Sequence, residues 1–326
     1  MKQRDVTVSL CAAALFFAIR PAHAASVAEL VGDQDAFQVN RSGSSLYILN
    51  CKTGENRKVT NAPGNLYWCG GPNRDATKVV FGAGGGIYVV NWDGGNQQRV
   101  ASGDSPNFWS TDWVVYTGES ESKSGAGTTW KVQIDKSSNK PIESTRTRLA
   151  DKQYSCGLTG SGQYLCESYG KAFMLELSSG KRSPFFNNSQ NCVGSAHPGS
   201  KVQMMFNRDP GHGAMVIGEW NPSNNSTRIV WTYSGNEVFG VWSVNHDNFC
   251  IMGSGGHYKL VRISDKKSAS LSMNSRLGGP WVGNRGTIEP PPPDDDTPPS
   301  APSNLSATAD GKTKINLSWD EASDDE

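Results

Sequence analysis

The 326 residues carry 31 lysines and arginines against 31 aspartates and glutamates, a formal net charge of zero. Nucleic acid or an anionic membrane as the main partner calls for a basic surface, which this balance does not supply. With 36 glycines and 17 prolines the chain is rich in turn formers, and it is long enough to bury a large core.

Lys2 and Arg4 precede an apolar run from Val6 to Ile19, and Ala22-His23-Ala24 follows. Positive, apolar and small-x-small segments in that order make an export signal, expected to span residues 1–24 and to be cut after Ala24. Cys11 leaves with it. Leu10 stands where a lipidation signal wants a small residue, so no lipid anchor is expected. No later stretch approaches the roughly 18 continuous apolar residues of a membrane span. The exported chain is therefore expected to be soluble, and secreted or periplasmic.

From residue 25 to 288 no amphipathic helix stands out. Short runs rich in Val, Ile, Tyr, Phe and Trp are bounded by Gly, Asn, Asp and Ser, the pattern of strands and turns. The clearest unit is Lys78 to Phe81, a glycine turn, then Ile87 to Trp92 and Asp93-Gly94-Gly95-Asn96. Related strand pairs recur around Leu46 to Asn50, Trp130 to Asp135, Phe173 to Leu177, Met215 to Trp220 and Leu260 to Ser264. A period of about 40 to 45 residues with several short strands per unit is that of a β-propeller blade.

A second element precedes the strand pairs. It reads Tyr67-Trp68-Cys69-Gly70-Gly71-Pro72, Phe108-Trp109-Ser110-Thr111-Asp112, Ser155-Cys156-Gly157-Leu158-Thr159-Gly160, Val193-Gly194-Ser195-Ala196-His197-Pro198-Gly199, Val241-Trp242-Ser243-Val244-Asn245-His246-Asp247 and Pro280-Trp281-Val282-Gly283. With Asp93-Gly94-Gly95-Asn96, these degenerate Trp-Ser-Pro-Asp-Gly elements resemble the TolB-like family of propeller repeats, relatives of the WD-repeat propellers. The chain departs from the Tol-pathway protein in lacking its separate N-terminal domain. The recurring Trp68, Trp109, Trp242 and Trp281 are expected to fill the core between blades.

The first strand pair has no such element before it, and the last element, at Trp281, has no pair after it. Ring closure reconciles both: the C-terminal strand supplies the inner strand of the blade that the N-terminus begins, which removes sheet edges. The expected fold is all-β, a six-bladed propeller, with five and seven blades as the bounds.

Six cysteines follow the export signal: Cys51, Cys69, Cys156, Cys166, Cys192 and Cys250. In an oxidising compartment an even count points to three disulfides, with 15 possible pairings. Cys156 with Cys166 across a hairpin, Cys51 with Cys69 and Cys192 with Cys250 are the expected set. No Cys-x-x-Cys pair and no His at ligand spacing from a Cys is present, so no metal and no cofactor is expected.

His197 and His246 fall at the corresponding turn of two units, which makes them turn residues first. As ligand-binding candidates they need both turns to meet at the ring axis. His212 and Asp209 sit in a loop, Arg208 to Gly213, and Trp113 opens a strand; these complete the candidate ligand-binding set. Carboxylates such as Asp209, Glu219 and Asp247 cannot be placed relative to one another from sequence. Gly82 to Gly86 lacks the Gly-Lys-Ser/Thr and following helix of a phosphate cradle, so a hairpin turn is expected. Asp93 to Asn96 lacks calcium-loop spacing and reads as a tight turn. The polar insert 118–128 lengthens one hairpin loop.

Residues 289–300, rich in Pro and Asp, cannot build a core and read as a semi-rigid, disordered linker. Ala301 to Ala309 and Lys314 to Trp319 resemble the opening of a fibronectin type III domain, with Trp319 at that family's core tryptophan. Such a sandwich needs about 100 residues and seven strands. Residues 301–326 are therefore expected to be a truncated, disordered start of one.

The function expected from all this is a non-catalytic, monomeric binding module for a polysaccharide or an extracellular or periplasmic protein. The rival is a polysaccharide lyase or glycoside hydrolase with His and carboxylate side chains clustered in the axial funnel. A structural spacer is the third reading.

Overall fold

The computed structural model describes residues 25–118, 127–150, 154–168, 172–185, 193–208, 214–234, 240–254, 256–273, 275, 278–285, 306–309 and 315–318. Two compact units divide the chain, Met1–Arg285 and Gly286–Glu326.

The first unit is a six-bladed β-propeller of four-stranded antiparallel sheets. From inner to outer strand, blade 2 runs Leu66–Pro72, Lys78–Ala83, Gly86–Asn91 and Gln98–Ser102; blade 3 runs Asp104–Phe108, Trp113–Thr117, Thr129–Gln133 and Thr147–Ala150. Blade 4 begins at Tyr154–Leu158, blade 5 at Val193–Ala196 and blade 6 at Gly240–Trp242. Blade 1 is made from both ends of the unit. Trp281–Gly283 is its inner strand, followed by Asp35–Ser42, Ser45–Asn50 and Asn56–Asn61. The closing register sets Asp35 opposite Gly283, Ala36 opposite Val282 and Phe37 opposite Trp281. The expected strand closure and blade number are both present.

Period-2 side-chain alternation explains the ring. Every residue of Lys78–Ala83 is buried. Val79, Phe81 and Ala83 enter a cluster with Val39, Leu46 and Ile48 of blade 1, while Val80 joins Val114 and Val132 of blade 3. A strand with two apolar faces must be covered on both. The buried side chains accordingly form six clusters, one for each pair of neighbouring blades, including the pair that closes the ring. Trp242 and Trp281 are buried in such clusters and Trp109 packs against one, as expected; the side chain of Trp68 lies outside the described residues.

The inner strands approach closely. A Cβ on Gly194 would collide with the carbonyl oxygen of Gly240 in the next blade. The glycine-rich segment forms the expected hairpin turn, with Gly84 and Gly85 at φ +55° and +77°. In the other expected turn, Asp93 Oδ1 accepts the N–H of Gly95 at 2.8 Å.

A five-residue helix, Val27–Val31, precedes blade 1 where only strands are expected. Ser26 and Glu29 cap each other reciprocally, a capping box. Val27, Leu30 and Val31 are buried against blades 6 and 1. Arg262 Nη1 donates to Leu30 O at 2.7 Å, and Lys52 Nζ donates to Gly32 O at 3.0 Å. The helix thus covers the closing seam. No helix among the described residues is long and apolar enough to cross a membrane.

In the second unit, Ser306–Ala309 pairs antiparallel with Ile315–Ser318, Ser306 opposite Ser318. A segment expected to lack order thus carries a ladder, since strands close in sequence can pair at little loop-closure cost. The linker 289–300 and Trp319 lie outside the described residues.

The cysteines depart from expectation. Cys51 and Cys250 are free, buried thiols, so the bridges expected with Cys69 and Cys192 are not formed. Each thiol serves as core: Cys51 in the closing seam, with Sγ 3.9 Å from Leu49 O, and Cys250 between Trp242 and Val261. Cys192 and the side chains of Cys69 and Cys156 lie outside the described residues. Cys166 is likewise a buried thiol outside any disulfide, its Sγ donating to Met174 Sδ at 3.7 Å, so the bridge expected with Cys156 is not formed either.

Two measurements check this fold. Trp281→Ala removes a buried indole and its hydrogen bond, and should lower unfolding stability by about 3–5 kcal/mol in a urea titration; Trp113→Ala, at a half-buried ring, should cost clearly less. Burial pushes the Cys51 thiol up to about 12 and raises Cys250 likewise. Both should resist a disulfide thiol reagent at pH 8 in native protein and react in guanidinium without prior reduction. Two thiols that stay blocked in guanidinium would show that the bridges form after all.

Candidate functional site

Strand alternation brings the turns between first and second strands to one mouth of the ring. Side chains stitch these turns together. Asn73 Oδ1 accepts the N–H groups of Thr77 and Lys78 at 3.0 and 2.9 Å, and its Nδ2 donates to Thr111 O of blade 3 at 2.8 Å. Gly160 N–H of blade 4 donates to His197 O and Gly199 O of blade 5 at 3.0 and 2.9 Å. Trp281 Nε1 donates to Arg74 O at 2.7 Å, and Arg74 Nη2 donates to Pro198 O at 2.7 Å. Arg74 belongs to blade 2 and Pro198 to blade 5, three blades apart in a ring of six. One guanidinium therefore bridges the mouth.

The two histidine turns do converge. His197 Nε2 lies 3.8 Å from Asp247 Oδ2, Lys201 Nζ lies 3.9 Å from the same oxygen, and His246 Nδ1 lies 3.9 Å from Asp247 Oδ1. These separations are contacts, longer than hydrogen bonds. Each imidazole does something else at shorter range. His197 Nδ1 accepts the N–H of Gly199 at 3.0 Å, and His246 Nδ1 accepts the N–H of Asn248 at 3.2 Å. Both rings thus hold their own turn by a bond to the residue two positions on, as an Asn or Asp side chain does. The His197 ring stands edge-on to Trp242 at 5.2 Å, and the His246 ring edge-on to Phe249 at 5.0 Å. Only 3% of the His197 side chain is exposed, against 50% of Asp247.

Burial lowers the pKa of both imidazoles, with Asp247 opposing the shift, so both are neutral at neutral pH. Among the described residues, no three His, Cys, Asp or Glu side chains are arranged to hold a metal ion. Glu219 is not part of this cluster. Its Oε2 accepts from Gln203 Nε2 at 2.6 Å and its Oε1 meets Arg228 Nη2 at 2.6 Å, all within blade 5. His212 and Asp209 lie outside the described residues.

Trp113 lies elsewhere, on blade 3 facing blade 4. Its ring centroid is 6.2 Å from that of Trp109, and Lys131 Nζ sits over both rings, 4.7 Å from Trp113 and 5.1 Å from Trp109. Trp109 Nε1 donates to Thr159 O at 3.0 Å across the same boundary. Asp247, Lys201 and Arg74 are brought to these positions by the packing of different blades, and Lys131 is set over its two indoles by the pairing of strands within blade 3, so none of the four stands out in the sequence as a site residue.

A pH profile tests the histidines. Their folded-state pKa values lie below the unfolded value near 6.5, so the unfolded chain binds more protons in that window. Stability should be fully present above pH 6.5 and fall as pH drops through it. His197→Asn keeps an acceptor for Gly199 N–H and removes the titration. Its melting temperature should fall less than the wild type's between pH 7.5 and 5; an equal fall would assign the effect to other groups.

No protein-family model matches the chain, and no curated protein matches it. Solved structures do. TolB from Acinetobacter baumannii superposes with a TM-score of 0.53 at 14% identity, over 77% of this chain and 66% of that one. A protein from Agrobacterium tumefaciens described as a TolB gives 0.50 at 14% identity, over 77% and 98%. One chain of a nidogen/laminin complex gives 0.50 at 10% identity, over 77% and 99%. The chain spans about two thirds of the Acinetobacter protein's length. At these identities the likeness is one of fold: this chain has the six-bladed β-propeller fold seen in TolB proteins.

Proposed function

We propose that this chain is an exported, non-catalytic propeller module that binds a polysaccharide or an extracellular or periplasmic protein. The bridged mouth carries the reading. An axial enzyme needs an open funnel and reactive groups that a substrate can touch. Here Arg74 reaches across to Pro198, and His197, beside the only cluster of imidazoles and carboxylate among the described residues, is almost wholly buried and committed to its turn. Among the described residues, no second carboxylate is seen beside Asp247 with which to share acid and base roles.

Export rests on the pattern of Lys2, Arg4, Val6 to Ile19 and Ala22-His23-Ala24. A propeller of similar fold in a nidogen/laminin complex illustrates use of the fold within a protein assembly, by analogy only.

A glycan array probed with the full chain, with cross-linking to secreted and periplasmic proteins beside it, tests the proposal. Retention of a saccharide or a saturable protein cross-link is expected, with no release of reducing ends or unsaturated products from any bound polysaccharide. Such products would establish the enzyme reading instead. Silence in both assays would leave the spacer.

A further inference from the structure

The six seams between blades are not equally apolar. The cluster between blades 3 and 4 holds five buried hydrophobic side chains among the described residues, Val115, Ala150, Leu158, Leu165 and Leu175, against eight to fifteen at the other seams. Charge occupies the space that apolar groups fill elsewhere. Lys131 shares the face of Thr129–Gln133 that looks toward blade 4, and its ammonium lies over the rings of Trp109 and Trp113. Among the described residues no carboxylate lies within ion-pair distance of it. From blade 4, Glu167 follows Leu165 on the same strand face, wholly buried, and Arg182 Nε donates to its Oε2 at 3.0 Å. Glu167 Oε1 has no hydrogen-bond partner, and neither does the buried Thr129 hydroxyl of blade 3. The Arg182 side chain is 43% exposed. With Glu167 already taken by Arg182, the seam presents Lys131 beside two half-buried indoles and, among the described residues, with no carboxylate paired to it.

Two features choose the ligand. An ammonium held on aromatic faces keeps its attraction for an anion, and a carboxylate completes it. The neighbouring indole offers an apolar flat surface of the kind on which the C–H face of a sugar ring rests. A protein helix or strand would want an apolar patch, and Val230 is the one large hydrophobic side chain that stands exposed among the described residues, away from this seam on blade 5. We propose that the seam between blades 3 and 4 binds an acidic polysaccharide, a uronate carboxylate pairing with Lys131 and its sugar ring resting against Trp113, with the partly exposed Arg182 as a second cation on the blade 4 side. This deepens the binding-module reading and rests on it.

Affinity electrophoresis of the full chain tests it, through gels containing polygalacturonate, alginate or hyaluronate. Retardation by at least one polymer is expected at low salt, weakening as salt screens the ion pair. Methyl esterification of polygalacturonate should abolish its share. Lys131→Met should weaken binding tenfold or more with an unchanged melting curve, and Trp113→Ala should weaken it as much with only a small loss of stability; should Trp113→Ala melt early, Trp113→Phe and Lys131→Met decide. No retardation by any of the three polymers overturns the proposal, as does retardation that Lys131→Met leaves intact. Polyglutamate bound as tightly as the polysaccharides would replace the saccharide by an acidic peptide. A neutral glycan or protein partner found by the array, and retained by Lys131→Met, would overturn this site while leaving the binding module standing.

Discussion

Two-sided burial is the constraint on which this structure depends. The second strand of blade 2 is buried at every position, so its sheet cannot rest with one face in water. A row of such sheets always has two uncovered faces at its ends. Bending the row into a ring covers both without separate caps, and it works only if the last sheet meets the first. Three residues, Trp281–Gly283, make that meeting by entering the sheet begun at Asp35. Short as this pairing is, it carries large side chains: Trp281 lies in the cluster between blades 1 and 2, and Val282 in that between blades 6 and 1. The helix Val27–Val31 adds three more buried residues to the closing seam.

Once closed, the ring brings polar turns into a crowded belt at one mouth. Buried polar groups there must be satisfied, and the chain meets the requirement with its own side chains. Asn73, His197 and His246 accept N–H groups of their own turns, and Arg74 and Trp281 donate across the ring. Groups that look reactive in isolation are thereby spent on architecture. Imidazoles whose pKa burial lowers, and whose Nδ1 accepts a backbone N–H, are poorly placed to serve as acids. Function is more readily placed where polar groups have no architectural duty.

The blade count and the closure were legible because both follow from a repeat whose first and last copies have complementary defects. The tryptophans were legible for the same reason, since residues that recur in phase occupy equivalent packing sites. The helix was legible in principle: Ser26-Val27-Ala28-Glu29 is a capping-box sequence. Its five residues are too few to show periodicity. The contact of Arg74 with Pro198 spans 124 positions and leaves no local trace. The cysteines misled because an even count is compatible with bridges and with small core residues alike; burial of Cys51 and Cys250 in different seams decides between these here.

Seam composition then ties architecture to function. Among the described residues, the closing seam, between blades 6 and 1, is the richest in buried apolar side chains, and the seam between blades 3 and 4 is the poorest. In a ring of six these two lie diametrically opposite. The closing seam is where the backbone is discontinuous and where opening would begin, so apolar burial and the capped helix stabilise it most effectively there. Between blades 3 and 4 the backbone is continuous, and the neighbours on either side hold each blade in place. That seam can give up apolar area without releasing the ring. Lys131, Glu167 and Arg182 stand where a stability-limited protein would place leucines, and the strongly buried seam across the ring is what makes their presence tolerable.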